Sequence, residues 1–114
     1  MKLIIAIVPP KRVSDLREEL LQAGATGLTI AKVVGTGKDK LPPATTMATK
    51  TLNCLTEMAK LEILVDEPHV EQLIDAILST VKNRPFDDNG KIFVYEPLNV
   101  VRVRTGETGN PAIL

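Results

Sequence analysis

The chain has 114 residues, 44% of them hydrophobic and 25% charged, which suits one compact domain spanning 1–114 with a true core. Fourteen basic residues balance fourteen acidic ones, and only 3% are aromatic. That balance argues against capture of nucleic acid or of an anionic membrane surface, and leaves no stacking platform for single-stranded nucleic acid.

The first element is the apolar, β-branched run Leu3–Val8, which reads as a buried strand closed by Pro9 and Pro10. It is too short for a secretory leader, and no segment is long enough to span a membrane. Val13, Leu16, Leu20, Leu21 and Ala23 recur at helical spacing, with Ser14 or Pro10 as the entry and Gly24 as the stop. Gly27–Val34 alternates and predicts a second strand. Residues 36 to about 56 hold Gly37, Pro42, Pro43 and six threonines without periodicity, and predict a long functional loop.

Ala59–Val65 predicts a third strand, with Lys60 and Glu62 on one face. Val70–Val81 predicts a helix with Val70, Leu73, Ile74, Ile77, Leu78 and Val81 inward, started by Glu67-Pro68. Asn83–Gly90 is a turn, Lys91–Tyr95 a fourth strand, Val100–Val103 a short extended piece, and a Gly-rich polar tail follows. The order βαβ-loop-βαβ predicts an α+β, ferredoxin-like βαββαβ sandwich, with helices on one face of an antiparallel sheet. Apolar strand residues point both ways, so the bare face needs a cover, and self-assembly is the economical one.

Lone Cys54 cannot form an internal disulfide and forms no zinc set with lone His69; this predicts a reducing, cytoplasmic setting. Cys54 reads as a small residue near the loop base and His69 as a solvated one. Three segments carry candidate anion chemistry. Gly35-Thr36-Gly37-Lys38-Asp39-Lys40 offers close backbone approach and positive charge, or simply a turn with solvated lysines; it lacks the P-loop pattern. Asp87-Asp88-Asn89-Gly90-Lys91 reads as a tight turn or as a phosphate cradle with Lys91. In Val101–Thr105, Arg102 and Arg104 stand at i and i+2 of an extended segment, so both can reach one polyphosphate; the plain alternative is a solvated edge strand.

Gly90-Lys91-Ile92-Phe93-Val94 followed by Val101-Arg102-Val103-Arg104-Thr105-Gly106-Glu107-Thr108-Gly109 resembles the C-terminal signature of the PII signal-transduction proteins. Met1–Ile7, Ala23–Thr29, Gly35-x-Gly37 and Lys60-x-Glu62-Ile63 resemble the same family. The resemblance implies a homotrimer of ferredoxin-like subunits with ATP or ADP in the clefts between them. By matching position, Gly35, Gly37 and Lys38 lie on the phosphate side and Gly90 and Lys91 hold phosphates. Arg102 and Arg104 reach in from the neighbouring subunit, and Thr29 and Val65 lie near the adenine. The loop at 36–56 then reports ligand state to a membrane transporter or metabolic enzyme. No catalytic residue, nucleic-acid partner or membrane insertion is implied.

The departures from that pattern carry expectations of their own. Thr51 stands where many relatives have a modifiable tyrosine, so tyrosine uridylylation there is ruled out. Asp39 replaces a glutamine that helps bind magnesium and 2-oxoglutarate; a carboxylate still suits Mg but repels a dianionic keto acid. Met58 replaces a lysine that pairs with 2-oxoglutarate, and Pro42-Pro43 stiffen the loop. The expected function is therefore a nucleotide-binding regulator with altered or absent 2-oxoglutarate sensing. The alternatives are a conventional nitrogen regulator sensing ATP/ADP and 2-oxoglutarate, a nucleotide hydrolase, for which no Ser-His-Asp set or Walker pattern exists, and a structural trimer without nucleotide.

Overall fold

A computed structural model describes residues 1–36, 55–82 and 90–113. Strand β1 (Lys2–Val8) leads through a single 3-10 turn, Pro10–Arg12, into helix α1 (Val13–Gln22). Strands β2 (Thr29–Gly35) and β3 (Thr56–Val65) follow, then a second 3-10 turn, Glu67–His69, and helix α2 (Val70–Lys82). Strand β4 (Lys91–Tyr95) and a last short helix, α3 (Asn110–Ile113), complete the order. The strands form one antiparallel sheet in the order β2-β3-β1-β4. This is the ferredoxin-like α+β arrangement that the element order predicts.

Alternation along β1 and β3 decides the two faces. Ile4, Ala6 and Val8 pair with Ile63, Leu61 and Ala59, and all six are buried against the helices with Leu16, Leu20, Leu73 and Ile77. Leu3, Ile5, Ile7 and Leu64 point the other way, to a face that neither α1 nor α2 covers. Phe93 and Tyr95 of β4 lie on that bare face opposite Ile5 and Leu3, stacked with centroids 6.5 Å apart, and are 42% and 52% exposed. The bare face is thus largely apolar and open.

Helix ends follow local chemistry. Pro10 opens the turn into α1, since its missing N–H is no loss in the first helical turn; Ser14 lies inside the helix. Gly24, at φ 109°, closes α1: Ala25 N–H donates to Leu20 O at 2.9 Å and Gly24 N–H to Leu21 O at 3.3 Å. With Ala25 and Leu20 both in the core, this is a Schellman motif with its apolar clasp.

Several expectations change. Strand β3 starts at Thr56 rather than Ala59, because Thr56 and Glu57 still pair with Gly35 and Val34; β2 starts at Thr29 rather than Gly27. Leu78, read as inward, is 48% exposed, and Leu21, counted in the helical spacing of α1, is 40% exposed. Val100–Val103 is extended only as far as Arg102: Val101 bridges Thr108 in antiparallel fashion, Val103–Thr105 form a turn, and Gly106 N–H donates to Arg102 O at 2.7 Å across it. The polar tail holds α3. Gly37, Lys38, Asp39, Thr51, Cys54, Asp87 and Asp88 lie outside the described residues.

Candidate functional site

The antiparallel register sorts the candidate residues to the two ends of the sheet. At one end are Gly35 and Thr36, closing β2, and Gly90 and Lys91, opening β4. Gly90 runs so close to β1 that a Cβ on it would stand 2.5 Å from Ile7 O. Lys91 pairs with Ile7 and is exposed on the bare face. Gly35 and Lys91 lie on opposite edge strands with β3 and β1 between them, and are offset by four residues along the strands, so they are about 20 Å apart. The backbone approach at Gly90 is the kind of contact a bulkier residue would prevent.

At the other end, the turn after α1 and the C-terminal segment enclose an open cavity of about 570 Å³ lined by Leu3, Thr26, Thr29, Glu62, Arg102 and Ile113, among others. Thr29, the first residue of β2, is exposed and pairs in register with Glu62. Glu62 accepts an ion pair from Lys60 at 3.3 Å, both side chains being about a third exposed. Arg102 is held by its backbone: its N–H donates to Glu107 O at 2.8 Å and its carbonyl accepts from Gly106. Its guanidinium Nη2 donates to Ala112 O at 3.2 Å.

Val65 is separated from Thr29. It is 3% exposed, faces the helices, and borders a smaller cavity of about 100 Å³ with Gly24, Asp66, His69 and Asn110. The two cavities share Thr26, Leu64 and Ile113. Arg104 is exposed in the turn that follows Arg102, so the two arginines do not share one side of an extended strand as their i, i+2 spacing predicts. His69 is not simply solvated: its Nδ1 donates to Asp66 Oδ1 at 2.5 Å, and its ring lies where a Cβ on Gly24 would be.

Two lining residues, Glu62 and Thr26, enter the sequence reading only as members of the motifs Lys60-x-Glu62-Ile63 and Ala23–Thr29, not as ligand groups. Glu62 was visible as a charge at an alternate position of an apolar strand, but its pairing with Thr29 is a matter of register. Thr26 has no local signal at all; its role depends on a carbonyl 87 residues away. Met58 lies in β3 opposite Val33 and is 7% exposed, so an apolar side chain fills that position of the bare face. Among the described residues no group of His, Cys, Asp and Glu is arranged to hold a metal ion, and no helix is long and apolar enough to cross a membrane.

The fold and topology describe a small ferredoxin-like α+β domain. Residues 1–107 match the family described as "Nitrogen regulatory protein P-II". The chain is 38% identical over 113 residues to "Nitrogen regulatory protein P-II" of Pasteurella multocida, covering 99% of this chain and 100% of that one. It is 35% identical, with the same coverage, to "Nitrogen regulatory protein P-II 1" of Escherichia coli K12 and to "Nitrogen regulatory protein P-II" of Klebsiella oxytoca. The chain belongs to the P-II nitrogen regulatory family, whose members are regulatory signalling proteins and not enzymes; the hydrolase alternative is set aside with that assignment.

Proposed function

We propose that this protein is a homotrimeric adenine-nucleotide sensor of the cytoplasm that controls a membrane transporter or metabolic enzyme through residues 36–56. The observation that carries the reading is the division of candidate groups between the two ends of the sheet. Gly35, Thr36, Gly90 and Lys91 stand at one end, and Thr29, Glu62 and Arg102 at the other. Thr29 and Gly35 are six residues apart on one strand, about 20 Å, too far for one subunit to close both around a single nucleotide. Subunits packed through the apolar bare face would bring one end against the opposite end of a neighbour.

In that assembly Gly35, Thr36, Gly37, Lys38, Gly90 and Lys91 serve the phosphates of ATP or ADP. Arg102 and Arg104 answer from the next subunit, and Thr29 and the backbone of Val65, whose side chain is held in the core, serve the base side. Asp39 is the candidate Mg ligand. Thr51 offers no phenol for nucleotidyl transfer, so control by tyrosine uridylylation at that position does not apply. The apolar Met58 and acidic Asp39 both disfavour a keto-dicarboxylate, which gives a regulator with weakened 2-oxoglutarate sensing. The relatives' names favour nitrogen metabolism as the field of action.

Titration calorimetry with ATP and ADP tests the site. Arg102→Ala, Arg104→Ala and Lys91→Ala each weaken binding by more than about 1.5 kcal/mol, the low end for charge-assisted hydrogen bonds. Unchanged affinity in all three sinks the proposed site, and absence of ATP and ADP binding by the unsubstituted protein leaves the structural-trimer alternative.

A further inference from the structure

The C-terminal turn is built as a wall of the larger cavity. Gly109, at φ 72°, bends the chain and donates its N–H to Val100 O at 3.2 Å; Ala112 N–H then donates to Gly109 O at 2.9 Å. Ala112 is 8% exposed, and Ile113 borders both cavities. Two side chains from distant parts of the sequence grip this turn. Thr26 Oγ1 donates to Ile113 O at 3.0 Å, and Arg102 Nη2 donates to the carbonyl just before it, Ala112 O, at 3.2 Å.

From this we infer that Thr26 is a positioning residue for Arg102, acting through the carbonyls of α3 to aim the guanidinium into the cavity. An arginine side chain reaching into an open site is conformationally free, and ordering it on ligand binding costs affinity. A carbonyl that takes one guanidinium N–H fixes the plane of the fork while the group keeps further donors of fixed geometry. The carbonyl does this only if it is itself held, and the Thr26 hydroxyl holds the adjacent one. Thr26 sits on the turn between α1 and β2, three residues before Thr29, so the same clip ties Arg102 to the strand that borders the cavity. The inference rests on the nucleotide reading, with Arg102 as a phosphate-binding group.

The test is calorimetry on the full chain with ATP and, separately, adenosine. Thr26→Val weakens ATP binding about fivefold, within the range of one hydrogen bond, and changes adenosine affinity less than twofold. Thr26→Ser, which keeps the hydroxyl, restores ATP affinity. In an Arg102→Ala background Thr26→Val has no further effect on ATP, the coupling expected when one residue acts through the other. Equal losses for ATP and adenosine would mean that Thr26 touches base or sugar and overturn the inference. Unchanged ATP affinity overturns it too. Tighter ATP binding by Thr26→Val overturns it in the other direction, making the C-terminal turn a competitor for Arg102. If the unsubstituted protein binds no ATP, the nucleotide reading itself falls and the inference with it; ATP binding that Thr26→Val leaves untouched removes the inference alone.

Discussion

At the scale of single residues, backbone proximity decides which glycines matter. Gly90 is fixed by space: a Cβ there meets Ile7 O at 2.5 Å, and both sides of that contact are backbone, so neither yields cheaply. Gly27 has ordinary φ and nothing within 4 Å of its would-be Cβ. Gly90→Ala therefore lowers stability by about 1–3 kcal/mol, whereas Gly27→Ala stays within about 0.5 kcal/mol; urea unfolding of the pair checks this. Lys2 gives a pH prediction. Partial desolvation draws its pKa down, but the hydrogen bond and charge of Glu67, at 3.4 Å, and those of Glu96, at 3.5 Å, outweigh it and hold it above the ordinary 10.5. A raised folded pKa adds stability that is complete below 10.5 and lost as pH climbs through the folded value. The alkaline side of the stability profile should therefore fall less steeply in Lys2→Met, measured by thermal melts across that range.

At the scale of elements, the two helices differ in how much of each apolar stripe the sheet takes up. In α2, Leu73 is fully buried between sheet and α1, while Leu78, on the same helix, is 48% exposed. Leu73→Ala removes buried methyl groups and leaves a cavity, at a cost of about 2–5 kcal/mol. Leu78→Ala loses about 1 kcal/mol or less, since much of its surface is already in water. Denaturant midpoints at constant slope measure both. The same contrast explains why helical periodicity identified α1 and α2 while misjudging Leu78: period shows which side of a helix is apolar, and the width of the neighbouring layer decides how much of that side is covered.

At the scale of the whole molecule, the bare sheet face and the divided site make one joint prediction. Light scattering at micromolar concentration should give the mass of a trimer. Ile5→Asp puts a charge in the middle of the apolar face, between Glu62 of β3 and Phe93 of β4 in register. It should yield monomers that retain the fold by circular dichroism and lose ATP binding at least tenfold, because an unpaired charge in a dry interface costs several kcal/mol. A monomeric unsubstituted protein refutes the trimer. The effector prediction also belongs here, since it involves β3 and the segment before it. With ATP and magnesium saturating, 2-oxoglutarate should bind at least tenfold more weakly than to a relative with a lysine in place of Met58, the loss of one charge-assisted contact of about 1.5–3 kcal/mol. Micromolar binding would show that another group supplies the charge.

The sequence by itself determined the element types, the α+β class, the charged face of β3, and the family, because period-2 and period-3.6 patterns and glycine-arginine motifs are local properties of the chain. It also indicated Gly35, Gly90, Lys91 and Arg102 as positions worth attention. Only the tertiary structure decided how these combine. The antiparallel register set Glu62 opposite Thr29, turned Val65 away from Thr29, and brought Gly35 and Lys91 to the same end of the sheet. Arg102 and Arg104 looked equivalent in a strand, but the Gly106 to Arg102 hydrogen bond folded them into a turn and left only Arg102 against Ala112. The physical reason is the same in each case: hydrogen bonds between residues far apart in the chain fix orientation, and no local pattern encodes which distant carbonyl a given donor will meet.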